Sequence, residues 1–378
     1  MRTVQKLLWL FLFCCVAVAS GDAAPDRDGD RVISGVGVVA PDGSICHGMA
    51  VVVNAEGQVS GVIPADQADP ALIDLIAPEG SVITPGLHDL LGALGATGAL
   101  TAGTLLLDPD LRAADAFDST DPHLEDAAAH GILHTTIAAA PRGLLNGNTA
   151  TFLCQSGAPG AQLGEGKPYY ALAETALDSS REPTSRVAMV ASWKDWLATS
   201  DKSEQIPGIL YCPDAIDLRQ TLDIGWSELP VMVHSGDARS PVERLAGRDA
   251  LLIVGPFLEG GDAAQVRTAV RAAQAGVELA FSGGLPLMPA DHLRRSAAIA
   301  VAAGLDAEAA RRALFSNPAR ACGVSSIGII EPGARADLVL FSTDPLDPAA
   351  KVIQIWRGGQ RTRVATPPGV ISDLEVPR

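Results

Sequence analysis

The chain has 378 residues, of which 47% are hydrophobic and 19% charged, so it can bury a substantial core and is too apolar for intrinsic disorder. Its formal net charge is −16, from 28 Lys and Arg against 44 Asp and Glu. A negative field of this size repels nucleic-acid phosphates and anionic membrane surfaces, which excludes nucleic acid as a partner.

The first residues predict an export signal over residues 1–20, followed by a linker over 21–31. Arg2 and Lys6 supply positive charge, an apolar run extends from Leu7 to Val18, and small residues follow up to Ser20. The run is shorter than the roughly 20 apolar residues that a membrane span needs. We therefore expect cleavage, an exported (periplasmic or extracellular) protein and no stable membrane span; an uncleaved anchor is the alternative.

The next part of the chain, 32–83, is rich in short β-strands. The predicted strands are Val32 to Val39, Met49 to Val53 and Gln58 to Ile63, and turn sequences separate them. From 84 to 324 apolar runs such as Ala250 to Val254 alternate with helical patterns such as Ala290 to Ala303. This alternation indicates buried parallel strands joined by helices. Short strands return over 325–366, before a tail over 367–378.

Several stretches of the chain resemble the amidohydrolase superfamily, and the resemblance covers about residues 32 to 364. Ile83 to Asp89 resembles the entry into the first barrel strand, and Asn317 to Ala321 resembles the last barrel helix. Glu331 to Phe341 resembles the return into the terminal β-domain. Thr135 to Pro141 and Asn146 to Ala150 resemble the imidazolonepropionase-like branch.

The resemblance implies an α/β fold, namely a (β/α)8 TIM-like barrel with a composite β-sandwich built from both chain ends. It also implies a functional site on the loops at the carboxyl ends of the barrel strands. The activity implied is metal-dependent hydrolysis of C–N bonds.

The metal ligands that the resemblance implies are largely missing. The family uses His-x-His after strand one, Lys or Glu on strand four, one His each on strands five and six, and Asp after strand eight. Aligned on Pro85-Gly86-Leu87, the first two positions are Leu91 and Ala93, the strand-six position is Val254, and Ser282-Gly283 stands in place of the Asp. No Lys or Glu matches strand four. A zinc site needs at least three protein ligands, so we expect no cofactor unless activity is retained, in which case zinc or another divalent metal is implied.

His234 keeps the strand-five position, because it ends an apolar run and is followed by Ser235-Gly236-Asp237. It is the candidate metal ligand and, with Asp237, the candidate catalytic residue. The alternatives are a hydrogen-bonded structural histidine at a strand end and a solvated loop carboxylate.

Other polar residues give weaker signals. Cys46, Cys154, Cys212 and Cys322 are scattered, so we favour buried thiols, although an exported protein could pair them. His123, His130 and His134 lie within 12 residues, and surface or strand-buried histidines are favoured over a metal site. Trp193 and Trp196 indicate a packed helix.

Two classes of function remain open. The first, which we favour, is a non-catalytic exported binding or scaffold protein, a pseudoenzyme that retains a small-molecule cavity. The alternative is a hydrolase acting on C–N bonds other than peptide bonds, with an atypical site around His234.

Overall fold

The computed structural model describes residues 29–96, 100, 106–157, 162–164, 166–199, 207–261 and 263–362. The predicted export signal and the tail lie outside the described residues. The chain forms two compact units: the first ends at Pro85 and resumes at Ile329, and the second extends from Gly86 to Gly328. The two changes of unit lie close to the predicted boundaries at 83/84 and 324/325.

The secondary structure is rich in short strands. The strands are β1 (Arg31–Val39), β2 (Ile45–Val53), β3 (Val59–Pro64), β4 (Ile73–Ile76), β5 (Val82–Pro85), β6 (Leu87–Gly92), β7 (Leu107–Arg112), β8 (Ile132–Ile137), β9 (Leu145–Asn148), β10 (Ala150–Leu153), β11 (Gln162–Gly164), β12 (Pro168–Ala171), β13 (Ile209–Tyr211), β14 (Val231–Val233), β15 (Leu251–Val254), β16 (Glu278–Phe281), β17 (Leu338–Phe341), β18 (Val352–Arg357) and β19 (Gln360–Thr362). The α-helices are α1 (His123–Ala129), α2 (Arg186–Thr199), α3 (Ala215–Ile224), α4 (Ala263–Gln274), α5 (His292–Ala302), α6 (Ala307–Leu314) and α7 (Ser316–Cys322). Short 3-10 helices cover Ala65–Gln67, Pro70–Leu72, Ala113–Ala116, Glu174–Ala176 and Val242–Leu245.

The first unit is one mixed β-sheet built from both parts of the chain. Its strand order is β19-β18-β17-β5-β1-β2-β3, and β4 also pairs with β1. The two chain parts meet where β17 pairs antiparallel with β5, with Leu338 opposite Pro85. A two-sheet sandwich is not seen in the described strands, because this direct pairing continues a single ladder.

Both faces of this sheet carry apolar side chains. Along β2, Val51 and Val53 pack in a cluster that includes Trp356. Val52 belongs to a second cluster that includes Ala68, from the segment after β3. Successive side chains of a strand point to opposite faces. The sheet therefore has an apolar layer on each side.

The second unit is a TIM-barrel-like α/β fold with mixed sheets. Strands β12 to β16 pair in parallel, each with the next along the chain. The strands at its centre are buried, as the continuous apolar runs predict, and β15 is buried at every residue. The helical pattern predicted over 290–303 is present as α5, and α4 is a further helix between β15 and β16.

The predicted closed (β/α)8 barrel is not seen in the described residues. The strands divide into a four-stranded sheet, β11-β10-β8-β6, and a seven-stranded sheet, β16-β15-β14-β13-β12-β9-β7. The segment between β8 and β12 causes the division. Its strand β10 pairs antiparallel with β8, and β9 pairs antiparallel with β12. These pairings occupy the edges through which β8 and β12 would pair in a closed barrel.

Of the helices in the described ranges, none combines the length and the apolarity required to cross a membrane.

A buried carboxylate joins the first strand of the second unit to the turn after its last strand. Asp89 on β6 is fully buried and accepts hydrogen bonds from the backbone N–H of Gly283 at 2.5 Å and of Leu285 at 3.3 Å. Ala93 N–H also donates to the Leu285 carbonyl at 2.6 Å. A Cβ at Gly92 would collide with the Asp89 carboxylate, so glycine is required there. Burial raises the pKa of Asp89 to about 7, although the backbone donors oppose the shift.

This pKa predicts how stability depends on pH. The unfolded chain releases the Asp89 proton near pH 3.8, whereas the folded protein holds it until about pH 7. The contribution of Asp89 to stability is therefore complete below the unfolded pKa and is lost as the pH rises through the folded pKa. We expect the free energy of unfolding of the wild type, relative to Asp89→Asn, to fall by about 2–4 kcal/mol between about pH 4 and about pH 8. Urea unfolding of both proteins at both pH values measures it, and an unchanged difference would contradict the assignment.

Candidate functional site

The His234 side chain is held at both ring nitrogens by the protein itself. Nδ1 lies 2.8 Å from the Cys212 carbonyl oxygen, and Nε2 lies 2.9 Å from the Ser240 hydroxyl. A carbonyl oxygen only accepts, so Nδ1 carries the proton and Nε2 accepts from Ser240. Burial lowers the pKa of His234, which favours this neutral form. The lone pair that a metal would take is therefore used by a hydroxyl group.

His234 also lies away from the apolar interior of the unit. Val231 and Val233 pack against the core cluster that contains Ile253. His234 continues this strand, because its N–H donates to the Ile253 carbonyl at 3.0 Å. Alternation of side chains then places its ring on the opposite face. A Cβ at Gly236 would collide with the ring and with Ser240, so the loop folds closely over the imidazole.

Asp237, the second candidate, lies on the surface in an ion pair. Its carboxylate accepts from Arg239 Nε at 3.0 Å and from Arg239 Nη2 at 2.7 Å. Hydrogen bonds from Arg239 lower the pKa of Asp237. The Asp237 carboxylate does not hydrogen-bond to His234, so the two candidates are near each other in the chain but do not form a catalytic pair.

A cleft of about 620 Å³ lies beside these residues, at the carboxyl ends of β13 and β14. It is lined by Asp214, Ala215, Ile216, Arg219, Ser235, Gly236, Asp237, Arg239 and Gln265. Helix α3 carries Arg219, and Asp214 N–H donates to the Asp217 carboxylate at the start of that helix. Asp217 is buried and paired with Arg186, which fixes the helix against the unit. The Arg219 guanidinium forms no ion pair with any residue that the structure describes.

The positions that the resemblance assigns to metal ligands do not fit a metal. Leu91 packs against the core cluster, and Val254 is buried in β15. The backbone N–H of Ala93 is used in the bond to Leu285 described above. In the described ranges, no three His, Cys, Asp or Glu side chains lie close enough together to hold an ion.

A buried polar network lies between β6, β8, β10 and α7. The Thr136 hydroxyl lies 2.7 Å from His88 Nε2, 2.8 Å from the Thr151 hydroxyl and 3.0 Å from Cys322 Sγ. Burial lowers the pKa of His88 and raises the pKa of Cys322 to about 11. A neutral imidazole and a protonated thiol make this network structural, because a reactive cysteine needs a thiolate.

The remaining candidates are structural as well. Cys154, Cys212 and Cys322 are buried and Cys46 is partly exposed, and no disulfide joins any two of these four described residues. His134 is buried in β8, whereas His130 is at the end of α1. Trp193 is buried, and its ring centroid lies 5.4 Å from that of Trp196, as expected for a packed helix.

Part of the chain matches a known protein family. Residues 263–366 match the model of the Amidohydrolase family. No curated protein matches the sequence.

Solved structures share the fold over most of the chain. An amidohydrolase from Thermotoga maritima MSB8 is similar at 21% identity, with a TM-score of 0.75, over 88% of this chain and 99% of that one. Molinate hydrolase is similar at 14% identity, with a TM-score of 0.57, over 89% and 95% of the two chains. An adenosine deaminase from Xanthomonas campestris with bound zinc is similar at 15% identity, with a TM-score of 0.52, over 88% and 92%.

The chain thus shares a TIM-barrel-like α/β fold with these proteins. The family match covers residues 263–366, and together with the motifs at both ends of the second unit it supports a relation to the amidohydrolase superfamily.

The sequence patterns did not predict the roles of two residues, Asp89 and Arg219. Asp89 is a carboxylate that follows His88 in a strand whose other residues are Leu and Gly, a pattern that could have marked it as a buried polar contact. Arg219 carried no motif, and only the position of Pro213-Asp214 after an apolar strand pointed to the loop beside it. Its exposure depends on how α3 packs, which periodicity alone does not give.

The two hydrogen bonds of His234 predict its role. His234→Ala removes a buried ring and leaves Ser240 and the Cys212 carbonyl without their partner, so it should lower the free energy of unfolding by about 2–4 kcal/mol. Asp237→Ala is the control, because Asp237 is on the surface and its loss should change stability by about 0.5 kcal/mol or less. Urea unfolding measures both. An unchanged stability of His234→Ala, with loss of a hydrolytic activity, would instead make His234 a functional residue.

Proposed function

We propose that this protein binds a small polar carboxylate in the cleft beside Arg219 and does not perform metal-dependent hydrolysis. The observation that carries the proposal is the hydrogen bond between His234 Nε2 and the Ser240 hydroxyl. His234 is the ligand position of the family that this chain retains, and this hydrogen bond uses the lone pair that would bind a metal. The apolar residues at Leu91 and Val254 support it further, since a cation needs polar ligands at such positions.

The cleft has the features of a small-molecule site. Its volume is in the range of about 300–1,000 Å³ that is common for such sites, and it lies at the carboxyl ends of strands, where this fold places ligands. Arg239 is already paired with Asp237, so Arg219 is the cation available to a ligand. A guanidinium binds a carboxylate through two parallel hydrogen bonds. Gln265 and Ser235 add polar groups that suit an amide.

The alternative function is hydrolysis of C–N bonds other than peptide bonds. It is favoured by the similar structures, whose names include molinate hydrolase and adenosine deaminase. At these identities the likeness gives the fold alone. In this chain the alternative would need His234 to exchange its bond with Ser240 for a bond to substrate or water.

Export is part of the proposal and rests on the amino-terminal pattern alone. If the signal is cleaved, the intact mass of the protein from its native host should place the new amino terminus between Ser20 and Pro25. Retention of Met1 would contradict export with cleavage.

Binding of N-acetylglycine, which carries both a carboxylate and an amide, tests the proposal. We expect saturable binding to the wild type without release of acetate. Arg219→Met should weaken it about tenfold, because a charge-assisted pair is lost, and Arg219→Lys should restore part of the affinity. Calorimetric titration measures affinity, and proton NMR measures acetate.

Arg248→Met is the matched control, since Arg248 is an exposed arginine outside the cleft. Equal affinities of the wild type and Arg219→Met, or no binding at all, would contradict the assignment of the cleft. Acetate release that stops in His234→Ala would establish the alternative function.

A further inference from the structure

A second cavity, of about 300 Å³, lies in the second unit beside the carboxyl ends of β6 and β16, which are the first and last strands of that unit. Leu94 follows β6, and Leu285, Leu287 and Met288 follow β16. Helix α1 completes the cavity with His123, Asp126 and Ala127. The hydrophobic members of this set form an apolar wall. His123 and Asp126 are the lining residues with polar side chains, because the other lining residues are Leu, Met, Pro and Ala.

His123 is oriented by a buried carboxylate. Its Nδ1 lies 2.7 Å from Asp121 Oδ1, and the His123 backbone N–H donates to the same atom at 2.9 Å. Asp121 also accepts from Gly95 N–H at 3.0 Å, so it ties α1 to the loop after β6. The Asp121 side chain is 10% exposed and the His123 ring 59% exposed. Since Asp121 accepts, Nδ1 donates, and in the tautomer that carries its proton on Nδ1 the Nε2 atom is an acceptor. Among the residues that the structure describes, none hydrogen-bonds to Nε2.

Asp126 adds a second acceptor next to the first. It is three residues from His123 on the same helix, and residues at this spacing are neighbours on the helix surface. Its side chain is 49% exposed, and its nearest cation-forming partner, His130 Nδ1, is 4.0 Å away. The polar side chains of the cavity are therefore two acceptors, one of them a carboxylate. A complementary ligand must supply N–H donors and positive charge.

The apolar wall determines the rest of the ligand. Leu287 is 92% exposed at this cavity, and Leu94 and Leu285 line it from the buried side. An exposed leucine beside two buried ones gives a hydrocarbon group a surface on which to pack, and burial of apolar surface is favourable. The chain's net charge of −16 favours the approach of a cation.

We propose that this cavity binds a small organic ammonium ion, whose N–H groups donate to His123 Nε2 and to the Asp126 carboxylate while its hydrocarbon part packs on Leu287 and Leu94. This is a different site from the cleft beside Arg219, and it takes a ligand of opposite charge.

Calorimetric titration of the full mature chain with phenethylamine tests the proposal. We expect saturable one-to-one binding, weaker binding of 2-phenylethanol, which lacks the charge, and no binding of 3-phenylpropionate, whose charge is reversed. Asp126→Asn should weaken phenethylamine about tenfold through loss of the charge-assisted hydrogen bond. His123→Gln and Leu287→Ser should each weaken it several-fold, the latter without a change in Tm, because Leu287 is exposed.

Matched controls separate the site from general charge effects. Asp195→Asn changes an exposed helical carboxylate elsewhere, and His47→Gln changes an exposed histidine of the first unit; both should bind phenethylamine as the wild type does. Arg219→Met should also bind it normally, which separates this cavity from the cleft. If His123→Gln lowers the Tm, Asp126→Asn and Leu287→Ser decide the result. Full affinity in both of these variants, equal binding of 3-phenylpropionate, or no binding of phenethylamine would overturn the proposal.

Discussion

The second unit depends on one buried interaction, in which the Asp89 carboxylate accepts the backbone N–H groups of the turn after β16. A buried carboxylate is costly unless hydrogen bonds compensate it, so this turn cannot move away without leaving Asp89 unsatisfied. Gly92 and Gly283 are required because a Cβ at either position would crowd the carboxylate. The hydrogen bonds of Asp89 to Gly283 and Leu285 bring together the ends of the first and last strands of the second unit. The superfamily resemblance implies metal ligands at these strand ends.

Apolar side chains stand at three of the positions that the resemblance assigns to metal ligands, namely Leu91, Ala93 and Val254. Leu91 packs into the core cluster, and Val254 is buried between neighbouring strands. His234, which the sequence retains, faces the other way and is held by Cys212 and Ser240. Two of the cavities that the described residues form lie at the carboxyl ends of strands. One offers the Arg219 guanidinium and the other offers acceptors on His123 and Asp126, so their ligands should differ in charge.

The sequence predicts most of this architecture where periodicity and motifs are strong. The apolar run at Ala250 to Val254 is a buried strand, and the helical pattern at Ala290 to Ala303 is a helix, because local pattern and burial agree there. The antiparallel strands β9 and β10 were not predicted, since short strands rich in Asn, Gly and Thr have weak periodicity. The sequence predicts that His234 ends a strand but not the orientation of its ring. The conformation of the loop that carries Ser240 determines which ring nitrogen forms the hydrogen bond. The local sequence around Asp89 does not show that its partner is Gly283, which lies 194 residues away in the chain.

Metal stoichiometry tests the central claim most directly, namely that the superfamily fold persists here without its metal centre. The mature protein would be equilibrated with zinc, passed through gel filtration and analysed by inductively coupled plasma mass spectrometry. The account predicts zinc well below one ion per chain and an unchanged Tm, because Leu91, Ala93 and Val254 offer no ligands. About one retained zinc per chain would contradict it, since complete protein sites hold zinc tightly.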